Sequence, residues 1–563
     1  MKISTLLYLS LSISVIQSQS TTFDLWHITD VHVDPYYVTG AIAGSGCYCE
    51  LHDMCPRMPL DCNYTLDPTL QALIYGMPED NCATPFSLWS ATMEFLTDAV
   101  HNNPSPLALF TGDFGEAGLS ASCSDSSPAQ DQIINIINNG MMSVRTALRY
   151  GNPNAVVYGS LGNHDTTPGD IYYGTNEMQW LYNNLTKIFG NDFSNDKEAL
   201  STLLHGGWYV TPVTSITTGP GLYIIALNTN YWTTLNSQLT NTSSEAYQLG
   251  QEQFIWLNTT LSNLTIQNKK VLISGHIPPG GFWLTGYWTI FRKIMTLYPN
   301  TVIASFFGHT HVDQFTIVRS CQAIAPNQPI DWIITPNVNW CSGGNLAVGD
   351  VFNAGLWQND NWCPLLPSGT PTNTSISMCE TVCANYSSCA GFTWYPDASP
   401  AGSCCFRTSV SNMPYNASSD AICYAKPECA DGDGNPLHVL YATPSLTEGF
   451  PASNPGIRKF MLDSNTYEIL DMITYYGNIT AANDEHTFIW EQEYSMKLDY
   501  SLPDLSAISI NNLVNNDMVL DNSSSWTLFW NSYRKQYFGP SYVPCDGLCK
   551  VGMLQFLNGT TAS

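Results

Sequence analysis

The chain has 563 residues, 44% of them apolar and 12% aromatic, which excludes a disordered protein and leaves room for two to four domains. Nineteen Lys and Arg stand against 46 Asp and Glu, so the surface repels nucleic acids and other polyanions. After the first residues, no apolar stretch is long and uncharged enough to suggest a transmembrane segment.

The N-terminus reads Met1-Lys2-Ile3, then an apolar run from Leu6 to Ile16, then Ser18-Gln19-Ser20. This is the layout of a signal peptide, expected over residues 1–20. Eighteen Cys and eleven Asn-x-Ser/Thr sequons agree with a disulfide-bonded glycoprotein of an oxidising compartment, secreted or lysosomal. An acidic setting suits the charge, because repulsion between carboxylates falls as they protonate.

Short apolar runs then recur: Phe23 to Ile28, Leu107 to Thr111, Ala155 to Leu161, Leu222 to Leu227, Val271 to Ser274 and Val302 to Phe307. Each is rich in β-formers and ends in Asp, Asn, Gly or His, as buried strands do. Helix-length segments separate some of them, including Pro85 to His101 and Gln130 to Tyr150. Alternation of this kind predicts an α/β catalytic domain over residues 21–318.

Residues 319–436 have a different character. They hold ten of the 18 Cys, are rich in Pro, Asn and Ser, and read as a disulfide-stapled insertion. Cys379, Cys383, Cys389, the Gly391-Phe392 pair and Cys404-Cys405 resemble the PAN/apple adhesive modules. That resemblance implies a protein or glycan partner; a stapled loop without a partner is the alternative. Paired Cys-x2-Cys spacing is absent, which argues against a zinc ribbon. Strand character returns with His438 to Ala442 and Arg458 to Leu462, so residues 437–482 are expected to complete the catalytic domain. Residues 483–563 read as a small, mainly helical region in which Cys545 pairs with Cys549.

The chemistry gathers at the strand ends: Asp30-Val31-His32, Gly112-Asp113, Gly162-Asn163-His164-Asp165, Gly275-His276 and Gly308-His309-Thr310-His311. The i, i+2 spacing puts Asp30 with His32, and His309 with His311, on one side of an extended segment. Ligands of open α/β sheets bind beyond the carboxyl ends of strands, where these residues lie. Carboxylate plus imidazole without thiolate suits two divalent ions, and Asp113 can bridge them. Such a pair holds a water and the oxygens of a phosphate. A lone motif of this kind means little; five in order, each after a buried strand, carry the argument.

This series resembles the calcineurin-like metallophosphoesterases, and within them the acid sphingomyelinase and acid-sphingomyelinase-like phosphodiesterases. Further residues carry the likeness: Leu227-Asn228-Thr229-Asn230, Gln253 with Trp256-Leu257, His276-Ile277-Pro278-Pro279-Gly280, His311-Val312-Asp313 and Asn454-Pro455-Gly456-Ile457-Arg458. The resemblance implies a two-sheet metallophosphoesterase β-sandwich flanked by helices. It implies one metal, expected to be zinc, on Asp30, His32, Asp113 and His311, and a second on Asp113, Asn163, His276 and His309. His164 would donate a proton to the leaving oxygen and Asp165 would orient it. The substrate implied is a phosphodiester, with sphingomyelin first and a nucleotide or other soluble diester or pyrophosphate second; the first entails peripheral contact with membrane lipid.

Two departures stand out. The family places a His four residues after the bridging Asp, where this chain has Ala117. The first catalytic strand also begins almost at the signal-peptide cut, leaving no room for the saposin domain of acid sphingomyelinase. A secreted binding protein that merely keeps the fold is the reading from another class, and retention of all seven ligand positions argues against it. His27, His52, His101, His205, His438 and His486 are expected to be structural. Trp283 and Tyr287 are candidates for lining the substrate groove, with core packing as the alternative.

Overall fold

The computed structural model describes residues 22–41, 71–78, 82–115, 127–193, 196–284, 286–321, 434–449 and 451–559, together with the backbone of four strands between 333 and 425. The expected signal peptide, Ala117, His52 and the cluster of Cys before residue 82 lie outside the described residues.

Two six-stranded sheets form the body. The first has the order β16-β15-β14-β1-β2-β3, where β1 is Thr22–Ile28, β2 Leu107–Phe110, β3 Val156–Gly159, β14 Gly456–Asp463, β15 Ile469–Gly477 and β16 Trp490–Ser495. The second has the order β4-β5-β6-β7-β13-β8, with β4 Tyr209–Pro212, β5 Leu222–Ala226, β6 Lys270–Ser274, β7 Val302–Phe307, β8 Gln314–Arg319 and β13 Pro436–Ala442. Strands β1, β2 and β3 run parallel, as do β5, β6, β7 and β13. Their carboxyl ends therefore come out together at one edge of the sandwich.

Inward-facing side chains join the sheets. His27 of β1 meets Phe306 of β7 at 5.6 Å, Phe306 meets Phe460 of β14 at 5.0 Å, and the Ser160 and Ser274 hydroxyls lie 2.5 Å apart. Trp26 faces the other way, against Phe95 of the helix Phe86–Asn102 and Tyr475 of β15. That helix buries Leu88, Thr92, Leu96 and Val100, a four-residue repeat that lays one apolar stripe on the sheet. On the second sheet, Ser244 caps the helix Glu245–Ile266 by accepting from the Tyr247 amide, and Leu249, Leu257 and Leu261 are buried.

The Cys-rich region leaves the second sheet after β8 and returns at β13. These two strands pair with each other, Arg319 opposite Pro436, and the Ser320 amide donates to the Asn435 carbonyl at 2.8 Å. The insertion thus grows out of a strand pair whose ends touch. It has its own antiparallel sheet, order β11-β10-β12-β9, from Ile333–Thr335 (β9), Gly391–Tyr395 (β10), Ser403–Arg407 (β11) and Ile422–Ala425 (β12). Replacing residues 322–433 by a short linker is therefore expected to leave metal binding and turnover intact while lowering folding yield. Loss of turnover in a folded, metal-loaded variant would place the insertion in the active site.

One boundary shifts. The expected helical C-terminal region, 483–563, opens with β16, which pairs antiparallel with β15 and completes the first sheet. Helices follow, including Ala507–Asn512, Ser524–Tyr533 and Leu548–Leu557, and the Cys545–Cys549 disulfide is formed. Cys82 and Cys321 are also disulfide-bonded. Among the described residues no helix is long and apolar enough to cross a membrane.

Candidate metal centre

The seven expected ligands converge at the common strand edge. Asp30 and His32 follow β1, Asp113 follows β2, Asn163 follows β3, His276 follows β6, and His309 and His311 follow β7. Asp30, His32 and His311 present ligand atoms within 4.8 Å of one another, and Asp113, His276 and His309 do the same. Asp113 Oδ2 lies between the groups, 3.4 Å from His32 Nε2 and 3.2 Å from His276 Nε2. Asn163 Oδ1 is 2.9 Å from both His276 Nε2 and His309 Nδ1.

Outer partners fix the ligand atoms. His32, His276 and His311 each give Nδ1–H to a backbone carbonyl, of Gly115, Thr111 and Gly449, at 3.0, 2.7 and 3.2 Å. Their Nε2 lone pairs are thereby aimed inward, as metal-binding imidazoles require. Asn163 Nδ2 donates to Asp170 Oδ1 at 2.8 Å, which turns its Oδ1 to the same point. Asp30 Oδ2 accepts from the Thr29 hydroxyl and the His309 amide, while buried Asp30 Oδ1 has no hydrogen-bond partner. A buried carboxylate oxygen facing imidazole nitrogens, His311 Nε2 at 3.2 Å among them, fits a divalent cation.

Electrostatics agree. Burial works against the Asp30 and Asp113 carboxylates, yet the neighbouring histidines hold both below the usual range. Burial lowers His32 to about 4 and His309 to about 3. It opposes charge on His276 too, but Asp113 and Asp30 overcome it and raise that imidazole to about 9. The carboxylates thus attract positive charge to Nε2 of His276, where a proton and a metal compete.

The backbone is unusual at the ligands. Asp30, His32, Asp113, His309 and His311 all have left-handed conformations, with φ of 47, 40, 55, 68 and 59°. Each costs on the order of 1 kcal/mol. Interlocking turns hold them: the amides of Asp30 and His32 donate to the carbonyls of Gly112 and Asp113, and the Gly308 amide donates to His276. A Cβ on Gly162 would strike the Asp113 carboxylate, and one on Gly308 would strike Thr29 and Asp30. These two positions are glycine because the ligands need the space.

His164 is half-buried, its ring 5.5 Å from that of His32, and its amide donates to Asp113 Oδ1 at 2.8 Å. The Asp165 oxygens accept from the backbone amides of Asp113, Phe114 and Gly162 at 3.0, 3.0 and 2.8 Å. Buried beside Asp113, it is raised to about 6, by burial first and then by that charge. Asp165 braces the turn that carries Asp113.

Other motif residues support the site from behind. Asn228 exchanges backbone bonds with Gln253, Asn230 Nδ2 donates to the Leu161 carbonyl, and Thr229 Oγ1 accepts from the Ile277 amide. Asp313 pairs with Arg458 and accepts from Thr474 and Tyr494. His27 lies between Thr111 and Thr443, and His438 contacts Ser305, both buried and structural. Trp283 and Tyr287 are buried in the core, so they do not line the groove. Sequence reasoning missed Lys535, a fully buried amine that donates to the His311 carbonyl at 3.1 Å and to the Ser445 carbonyl and hydroxyl at 3.3 and 3.2 Å. It also missed Phe282, exposed and edge-on to the His309 ring at 4.7 Å. A run of aromatics after His276 was the available signal for Phe282; a lysine in a polar tail gave none for Lys535.

Two facing sheets with two adjacent candidate metal-ligand groups, and Asp113 Oδ2 between them, are the layout of a metallophosphoesterase. Residues 23–313 match the model of the calcineurin-like phosphoesterases, and residues 437–558 match that of the acid sphingomyelin phosphodiesterase C-terminal region. The chain belongs to the calcineurin-like phosphoesterase family. It is 23% identical to Sphingomyelin phosphodiesterase B of Dictyostelium discoideum over 94% of this chain and 62% of that protein. It is 24% identical to the Cyclic GMP-AMP phosphodiesterase SMPDL3A of Homo sapiens over 93% of this chain and 85% of that one. Sphingomyelin phosphodiesterase 2 of Caenorhabditis elegans is 27% identical over 54% of this chain and 48% of its own length.

Proposed function

We propose that the protein is a secreted or lysosomal phosphodiesterase that works with two zinc ions and cleaves sphingomyelin to ceramide and phosphocholine. The carrying observation is the pair of ligand sets that share Asp113. Bound there, two divalent ions neutralise the phosphate and supply a water of lowered pKa as nucleophile. Asp30, His32, Asp113, Asn163, His276, His309 and His311 would hold them. His164, beside His32 and open to solvent on one side, is placed to protonate the leaving alkoxide. The names of the Dictyostelium and Caenorhabditis relatives support the sphingolipid. A second reading, a nucleotide-type diester, is favoured by the exposed Phe282 ring at the metal centre and by the name of the human relative.

The test is one purified, glycosylated sample assayed at acid pH on sphingomyelin and on a soluble nucleotide diester, zinc-loaded and chelated. Zinc-dependent release of phosphocholine with about two metals per chain supports the first reading. Preference for the soluble diester supports the second. A protein without bound metal, even after reconstitution at mildly acid pH, would end the dinuclear mechanism.

A further inference from the structure

We infer that Phe282 is a substrate platform: the group carried by the phosphate packs against the face of this ring. The inference rests on the phosphodiesterase reading and adds the chemistry of the bound group, one that packs on the face of an aromatic ring. A nucleobase stacks on the ring through its own face, and a trimethylammonium group, which has none, sits over the same ring face through cation–π contact.

The loop after His276 is pinned on both sides of Phe282. The Phe282 carbonyl accepts from the Thr234 amide at 2.7 Å and from the Thr233 hydroxyl at 2.9 Å. Trp283 Nε1 donates to the Ile277 carbonyl at 3.0 Å, and the Leu284 amide donates to the Trp232 carbonyl at 2.7 Å. Trp283 is 4% exposed, whereas Phe282, next to it on the same rigid turn, is 40% exposed. The Phe282 ring stands at 88° to that of His309, one of the expected metal ligands. A large apolar side chain is thus held exposed beside an expected metal ligand by a loop hydrogen-bonded on both sides of it. Its position relative to His309 sets it beside the phosphate, where a ring face guides the attached group.

The experiment compares the wild-type protein with Phe282→Ala and Phe282→Trp, all zinc-loaded, with metal content measured on each. Calorimetry reads the binding of thymidine 5′-monophosphate, phosphocholine and inorganic phosphate. Kinetics read three diesters with the same leaving group: the p-nitrophenyl esters of methyl phosphate, thymidine 5′-monophosphate and phosphocholine. Phe282→Ala is expected to keep its metals and its phosphate binding, and to weaken thymidine 5′-monophosphate, phosphocholine or both by about 5- to 100-fold. The matching loss in kcat/KM should come from KM, and Phe282→Trp should restore it. Loss for thymidylate alone identifies the nucleobase, and loss for phosphocholine alone identifies the ammonium. Equal losses on all ligands, phosphate included, would show that the ring only shields His309 and overturn the inference; no change on any would overturn it too. Binding that depends on Phe282, in a loaded protein that cleaves none of the three esters, would uphold the platform and refute the phosphodiesterase reading.

Discussion

His276→Ala is expected to lose metal and activity together, whereas His164→Ala keeps its metals and loses activity in proportion to how poorly the leaving group departs. The contrast follows from placement. His276 Nε2 stands within 3.2 Å of both Asp113 Oδ2 and Asn163 Oδ1, and its Nδ1 is tied to Thr111. No other side chain can take its position, so its removal opens the second ligand set. The His164 amide donates to Asp113 Oδ1, a bond that alanine keeps. A natural alkoxide needs a proton and a nitrophenolate does not. General acid catalysis is worth roughly 10²–10⁴-fold, so the loss should approach that range on a natural diester and be much smaller on the activated one. Equal losses on the two substrates at full metal occupancy would make His164 a phosphate-positioning group.

Lys535→Met should destabilise the metal-free protein more than the loaded one. The amine is fully buried, and burial lowers it to about 7, so it is charged at pH 5. Glu493, Asp313, Asp30 and Glu448 surround it. Methionine keeps the length of the stem but removes one cation from among these acids and leaves the His311 and Ser445 carbonyls without their donor. Leaving a buried hydrogen-bond acceptor without its donor costs about 1–3 kcal/mol. Bound divalent ions would replace part of the missing charge, so the fall in melting temperature should shrink when zinc replaces chelator. A fall of the same size in both conditions would show that Lys535 supports only the packing of the C-terminal region and is not a counter-charge to the ligand set.

Much of this centre was legible before any coordinates. Buried parallel strands write themselves as apolar runs, and the residues that end them gather at one edge, so the strand-end motifs could be read from order, while the choice of seven ligands among them came from the family resemblance. What escaped had physical reasons. The strand β16 is Trp-Glu-Gln-Glu-Tyr-Ser, with only its last two residues buried, and carries no apolar run. Asp165 neighbours His164 in sequence, but the turn sends its carboxylate inward to three amides. Lys535 and Ser445 act through backbone carbonyls, which leave no trace in residue type. Phe282 and Trp283 look alike on paper, and only the pinned loop decides which is buried and which faces out.

The left-handed backbone at Asp30, His32, Asp113, His309 and His311 restricts which amino acids can stand there. Two lists must overlap: side chains that bind a divalent ion, and L-residues that accept positive φ. Glutamate and cysteine satisfy the first, but the residues most at home in the second are Asn, Asp and His. Asp30→Glu would therefore keep charge and donor atom and still be penalised twice, by the added methylene and by the backbone. At Asn163 and His276, where φ is not positive, only the first list applies. Exchange of one metal ligand for another is thus restricted at all four residues of the first ligand set and at Asp113 and His309 of the second, so variation in metal preference should enter this architecture through Asn163 and His276.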